Sequence, residues 1–411
     1  MKTETKNKSF QKSIGPVLTF GQVFAMLPVD NITSDVNEDK LQFRWISFKT
    51  IYAIIFLVLG SIESCLASRR IFVIGFSIIY VETFLFYVIS MAKSFMIFRL
   101  ATKWKEIMRR WSENEKVFLS APYEIKGWSL RTKLTVVFCI MVFGVFSEHL
   151  FFLAYAINNN YLQVTYCNPK SNIFWDNFLS RYRPHIRHFI KYSPYQLPLY
   201  EWVNLLQAFA FSYTDIFIML MAIGITTRFN QYIQLFRKII SNDKIRREII
   251  WRNLRIDYIH LVELTKFIDK HISGLVLIST GHNMLTMILK FYSAFKPSNV
   301  DILNAVYFWF FLTFLTCRTL SVLLLSASIN EAAKKPMEYI RNIPNKEWNV
   351  ELKRLFDIIL MESPTIGFSG KQLFFVTRGM ILTMIGTIIT FEIILLDEIP
   401  SSKENLCDFI D

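Results

Sequence analysis

The sequence predicts an all-α membrane protein with seven transmembrane helices. Three observations predict it. First, the 411-residue chain is 53% apolar and 19% charged, with a mean hydropathy of +0.32. A soluble domain is about 45–50% apolar and about 25% charged. Second, charges are nearly absent from seven long blocks, at 46–67, 71–92, 134–157, 201–226, 272–295, 303–326 and 373–396. Each has the roughly 20 residues a helix needs to cross about 30 Å of hydrocarbon. Third, 34 of the 46 Lys and Arg residues flank one side of these spans and ten flank the other. The richer side is cytosolic by the positive-inside rule. The N-terminus is therefore cytosolic and the C-terminus extracellular, inverted relative to a G-protein-coupled receptor.

Residues 1–45 are polar and mixed in charge. They read as a cytosolic tail with little fixed structure beyond an apolar patch around Val17–Leu27. No short apolar run ending in small residues opens the chain, so no cleavable signal peptide is expected. Spans one to six occupy 46–326 together with cytosolic helical extensions. One extension is marked by Phe229, Ile233, Phe236 and Ile240. Another is marked by Ile250, Leu254, Tyr258, Leu261, Leu264 and Ile268, whose steps of three and four draw one helical stripe running into span five. A third, Val350–Met361, lies in a cytosolic anchor segment, 327–372. The three stripes can bury one another. Residues 373–398 form the seventh helix and 399–411 an extracellular tail. Between Leu373 and Leu396 the charges are Arg378 and Glu392. A charge inside such a helix faces a partner or water rather than lipid.

The formal charge of +13 is explained by loop Lys and Arg that set orientation, not by nucleic-acid binding. The five cysteines, at 65, 139, 167, 317 and 407, make no C-x-x-C pair. Cys167 and Cys407 both fall outside, where a bridge is permitted. A Gly-rich phosphate loop, H-E-x-x-H and G-x-S-x-G are absent, and Asp, Glu and His stand singly on separate spans. No enzyme, cofactor or metal site is expected. The two Asn-x-Ser/Thr sequons, at Asn7 and Asn31, fall in the tail placed in the cytosol.

Thr390-Phe391, five residues and then Asp397-Glu398 resembles the closing signature of insect gustatory receptors: Thr-Tyr, five mostly apolar residues, Gln-Phe. The run Phe374-Phe375-Val376-Thr377-Arg378, then Gly386-Thr387-Ile388-Ile389-Thr390, is similar to the sugar-receptor branch of that family. So are Asp215 through Met219 with Arg228-Phe229 and Gln231, and Trp251 through Tyr258 with Ser279 and His282-Asn283. Tyr307 through Phe310, Cys317-Arg318-Thr319, Ala327 through Glu331 with Lys335-Pro336, and Glu148-His149 complete the likeness, which covers about 145–396. The chain departs from the family at Phe391, Asp397 and Glu398.

The resemblance implies a sugar-gated, non-selective cation channel of the plasma membrane of gustatory neurons. It implies a homotetramer, or a hetero-oligomer with related receptors, around a pore lined by the seventh helices. Phe391, Ile394, Asp397 and Glu398 then belong to the pore, with Ile394 as its hydrophobic constriction. The partners are a sugar, permeating cations and the lipid bilayer, with no nucleic acid. A non-sugar tastant is the alternative. A metabotropic receptor is opposed by the topology, and a transporter by the lack of internal repeats.

With the orientation set, each intramembrane polar residue acquires a depth. Tyr80 and Glu82 lie in span two, and Glu148 and His149 in the outer part of span three. Trp202, Asn204 and Gln207 lie in the outer half of span four, His282 and Asn283 near the middle of span five, and Tyr307 and Trp309 in the outer half of span six. Together they offer donors, acceptors and flat aromatic faces to one extracellular-side cavity. A sugar needs that mixture, because its hydroxyls require placed partners and a carboxylate accepts from two at once. Asp215, deeper in span four, reads as a structural partner of Arg318 or Arg378.

Overall fold

The computed structural model describes residues 9–32, 40–74, 78–166, 174–187, 193–241, 248–294 and 302–396. Among them the regular structure is helical apart from two isolated β-bridges. The helices are α1 (Phe10–Val23), α2 (Phe48–Ile74), α3 (Ile78–Glu115), α4 (Leu130–Tyr166), α5 (Phe174–Tyr182), α6 (Pro184–Arg187), α7 (Leu197–Ile240), α8 (Glu248–Ala294), α9 (Ile302–Ile340), α10 (Val350–Glu362) and α11 (Arg378–Leu396). Six of them, α2, α3, α4, α7, α8 and α9, are long and apolar enough to cross a membrane. The 19-residue α11 adds a seventh apolar helix, about 28 Å long at 1.5 Å per residue. Each expected span maps onto one of these seven, and the stripe from Ile250 runs unbroken into span five within α8.

Helix α7 is the axis of the bundle. From Phe209 to Ile225 every residue is buried, as suits a helix that is apolar all round. It packs on α9, α3, α4 and α8. One end of the molecule carries α1, α10 and the extensions of α3, α7, α8 and α9. The opposite end is capped by α5 against α4 and by α6 against α2.

The N-terminal segment differs from the expectation of a loose tail. Residues 10–23 form α1, which lies against α4, α3 and α7. Its apolar stripe is Phe10, Ile14, Val17 and Leu18, all buried. Burying each such side chain contributes about 1.5–3 kcal/mol, enough to hold a helix too short to stand alone. Ser9 caps it by accepting from the Lys12 amide at 3.4 Å. The Phe10 ring stacks on Trp111 at 3.9 Å between centroids. Gly224 makes room on α7, where a Cβ would stand 2.5 Å from the Phe10 ring. The Phe10 N–H donates to both oxygens of Glu115, at 2.9 and 3.1 Å. Glu115 is also paired with Arg228, and these two side chains are 1% and 0% exposed.

The seventh helix starts at Arg378, not at 373. Residues 366–377 form a strap whose Gly370 and Phe374 bond at 3.0 Å and whose Phe368 and Val376 bond at 2.9 Å. Gly367 has φ +149°, a conformation open to glycine, and Lys371 and Gln372 turn through the left-handed region at φ 54° and 63°. Asp269 of α8 accepts from Ser369 N at 2.6 Å and Ser369 Oγ at 2.7 Å. Asn330 of α9 donates to the carbonyls of Ser363 and Ile366, each at 2.8 Å. Thr377 then caps α11 through the Met380 amide at 3.3 Å, and Arg378 pairs with Glu331 of α9. The foot of α11 is therefore clamped to both neighbours.

Candidate functional site

The structure distributes the expected ligand residues over three polar clusters. The first lies toward the α5–α6 end. There Glu82 of α3 pairs with Lys290 of α8 at 2.5 Å. The Lys290 ammonium stands 5.3 Å from the Phe311 ring centre, a cation–π approach. Glu148 of α4 is within electrostatic reach of Lys290 and Arg318. Tyr307 of α9 is within such reach of Glu148 and Glu82. Its ring stacks on Tyr155 at 5.2 Å and 10°. Phe152 flanks Tyr307 at 5.9 Å and His149 at 6.5 Å. Tyr182 of α5 closes the group edge-on to Phe152 and Tyr155, and Asn159 donates to the Tyr155 hydroxyl at 3.3 Å. Two carboxylates, an ammonium, hydroxyls and flat ring faces thus converge from α3, α4, α5, α8 and α9.

The second cluster lies between α2, α3, α6 and α7. Gln207 is buried there beside Glu63, Asn204 is buried one turn earlier on α7, and Trp202 is 5.8 Å from the Tyr52 ring at a partly exposed edge. The third is deeper. Asp215 accepts from Asn283 Nδ2 at 3.0 Å and from Ser279, and pairs with Arg318 at 3.1 Å. Arg318 donates to Ser212 Oγ at 2.6 Å. Lys93 donates to the Phe211 carbonyl at 3.2 Å. Lys93 and Arg318 sit over the Phe211 ring at 4.4 and 4.8 Å, and His282 meets that ring edge-on at 4.8 Å. His282 and Asn283 therefore belong to this buried ion network, not to the first cluster. Of the two partners expected for Asp215, Arg318 takes the role.

Trp309 faces outward, 58% exposed, against Phe308. Tyr80 is in α3, but its side chain lies outside the described residues. Phe391 and Ile394 lie three apart on one exposed face of α11. The opposite stripe, Ile381, Met384, Ile388 and Glu392, is buried, with Ile388 against Met287, Ile288 and Leu315. Asp397, Glu398, Cys167 and Cys407 lie outside the described residues.

Sequence reasoning missed Lys290, Tyr155 and Tyr182 in the first cluster, and Glu63, Tyr87, Arg183, His185 and Glu201 in the second. Spacing on α4 could have found Tyr155, because Glu148, Phe152, Tyr155 and Asn159 repeat at steps of four and three. Glu63, an intramembrane carboxylate, was a signal by itself. Lys290 reads as an anchor at a span's end, and nothing local marks its turn inward.

Known proteins resemble this chain over nearly its whole length. A family model described as trehalose receptor matches residues 2–407. The gustatory receptor for sugar taste 64b of Drosophila melanogaster is 30% identical over 397 residues, 96% of each chain. The gustatory receptor 5a for trehalose of the same fly is 26% identical over 396 residues, 94% of this chain and 85% of the other. Among solved structures, the olfactory receptor OR5 of Machilis hrabei in complex with eugenol superposes with a TM-score of 0.63. It is 14% identical, with 94% of this chain and 97% of that one covered, which makes the helical architecture common to both. With this architecture and this breadth of likeness, the chain belongs to the trehalose receptor family of insect gustatory receptors.

Proposed function

We propose that the protein is a sugar-gated, non-selective cation channel serving as a sweet-taste receptor in the plasma membrane of gustatory neurons. The observation that carries the sugar assignment is the first cluster. Glu82 and Glu148 can accept hydroxyls, Lys290 can donate, and the Tyr155–Tyr307 stack presents flat faces for sugar C–H groups. The names of the curated relatives support the same reading. The Lys/Arg imbalance argues that the α5–α6 end faces outside, the side from which the stimulus comes.

The pore is the exposed face of α11. A single chain leaves Phe391, Ile394 and their apolar neighbours uncovered, and four copies around an axis, in a homotetramer, would bury them. A ring of Ile394 closes such a path by excluding water, and Asp397 and Glu398 beyond it attract cations.

The test is to express the chain alone and record current against a panel of sugars and non-sugar tastants. We expect a sugar response that Tyr307→Ala and Glu82→Gln each weaken about fivefold to tenfold at unchanged surface expression, the loss of one good polar or ring contact being worth about 1–1.4 kcal/mol. Responses to non-sugar tastants alone would overturn the sugar assignment. Parental sugar sensitivity in both variants would overturn the pocket.

A further inference from the structure

The sugar cluster does not account for the most polar corner of the bundle. Between α2, α3, α6 and α7, six side chains converge: Glu63, Tyr87, Arg183, His185, Glu201 and Gln207. Arg183 donates to the Tyr87 hydroxyl at 3.0 Å. It holds Glu201 only loosely, at 3.5 Å, against about 2.7–2.9 Å for a charged hydrogen bond. The His185 ring lies 4.8 Å from that of Tyr87. Gln207 sits beside Glu63 without completing a hydrogen bond to it.

Many of these atoms are orphaned. Arg183 Nε, Glu63 Oε2, both Gln207 amide atoms, both His185 ring nitrogens and both Glu201 oxygens have no hydrogen-bond partner. Glu63, Arg183, His185 and Gln207 are each more than nine-tenths buried. Buried polar atoms are almost always paired, and leaving them unpaired is costly. Eight such atoms in one corner point to a molecule that completes them.

The charges say which kind. In the first cluster the ammonium is already closed onto a carboxylate, at 2.5 Å, which leaves partners that a neutral sugar can use. Here a guanidinium with a free Nε edge faces two carboxylates. We propose that this corner is a second ligand site, for a small zwitterion of the α-amino-acid type. Its carboxylate lies on Arg183, where planar guanidinium edges favour carboxylates. Its ammonium lies between Glu63 and Glu201, and Gln207 and His185 supply neutral hydrogen bonds around it. A small cavity lined by Ala67, Arg70, Thr83 and His185 adjoins the corner, and its size favours the smallest side chains. His149 is within electrostatic reach of Arg183 and Glu201, so the site adjoins the sugar cluster without sharing its ligand groups.

The test uses the purified full-length chain in lipid nanodiscs, titrated with glycine, L-alanine and L-serine, with binding read by calorimetry or saturation-transfer NMR. At least one should bind, and N-acetyl-alanine amide, which lacks both charges, should not. Glu63→Gln and Arg183→Gln should each weaken binding about tenfold or more, as expected for one charged hydrogen bond. Gln207→Leu keeps the volume and every charge, and should weaken it about threefold to tenfold where Arg183→Gln fails to fold. The idea fails if monodisperse protein binds none of the three amino acids, and the corner then holds water alone. It also fails if the uncharged analogue binds equally, or if Glu63→Gln and Gln207→Leu leave affinity unchanged. Binding is read without sugar or current, so failure of the channel reading would be seen separately.

Discussion

The two ends of the molecule treat their charged groups differently, although both leave some neutral polar atoms unpaired. At the α1–α10 end, charged groups have found their partners. Arg255 bonds Glu351 at 2.8 Å, Lys266 bonds Glu362 at 2.5 Å, and the Tyr123 hydroxyl donates to Asp257 at 2.5 Å. Tyr258 donates to the Ala333 carbonyl at 3.1 Å. At the α5–α6 end, Glu63, Arg183, His185, Glu201 and Gln207 leave hydrogen-bonding atoms open. A satisfied polar network rigidifies, while unpaired groups are a reservoir that a ligand can discharge. On the proposed reading, the difference separates a scaffold from a ligand-binding region within one continuous set of helices, since α3, α7, α8 and α9 run through both.

The largest expected effect is at the scaffold end. Glu115→Ala would deprive the fully buried Arg228 of its carboxylate and undock the Phe10 amide. Breaking a buried pair typically costs about 3–5 kcal/mol. We expect loss of monodisperse protein by fluorescence-detected size exclusion. A variant as stable as the parent would break the comparison outright. Next is Ser369→Ala, which removes the hydroxyl bond to one Asp269 oxygen and leaves the backbone bond to the other. The loss should be about 1–3 kcal/mol, read as a lower melting temperature, with raised current in the absence of stimulus because the foot of α11 loosens. Then comes Glu63→Gln at the receptor end. Its Oε2 already has no partner, so the melting temperature should change by less than the equivalent of about 1 kcal/mol. A drop as large as that of Glu115→Ala would show the two ends to be built alike.

The smallest effects are in pH dependence. Hydrogen bonding to Arg255 holds the Glu351 carboxyl below the usual range. Its contribution is fully present above the unfolded-state value of about 4.3 and is lost as pH falls through the lower folded-state value. Burial pushes Asp257 up, against the bond from Tyr123. Stability from that group is highest in acid and declines as pH rises from about 3.9 through its raised folded-state value. Glu351→Gln should lower the melting temperature slightly at pH 7, by an amount that shrinks as pH falls below about 4.3. Asp257→Asn should remove the decline that sets in as pH rises through that group's folded-state value, and so steepen the net loss in acid. Thermal scans over that range decide both.

Much of the fold was legible in the sequence because hydropathy and helical period are local. The blocks that became α2, α3, α4, α7, α8 and α9 announced themselves, and so did the stripe from Ile250 that made α8 one rod. Helix α1 was harder. Phe10, Ile14, Val17 and Leu18 form a stripe, but a short amphipathic segment is ordered only by the groove it enters, and that groove is made by α3, α4 and α7 far along the chain. Leu373 through Val376 are apolar and read as helix, yet their backbone is taken by the strap, whose clasp comes from Asp269 and Asn330. The site was legible in kind more than in grouping. Glu82, Glu148 and Tyr307 converge. His282 and Asn283 have the right polarity and are drawn instead into the network around Asp215 and Phe211, because helix rotation and burial of opposite charges decide which polar residues meet.

The clamp at Ser369, Asn330 and Arg378 makes α11 a lever with its fulcrum at one end. A rod about 28 Å long, pivoting about 5° at its foot, carries its tip sideways by about 2.4 Å. Four such tips receding from a common axis would widen the gap across it by nearly twice that, while Ile381 beside the pivot scarcely stirs. On the proposed tetramer, small strains in the bundle would thereby be converted into large displacements at the level of Ile394, and the choice of which end to pin would decide which end can gate.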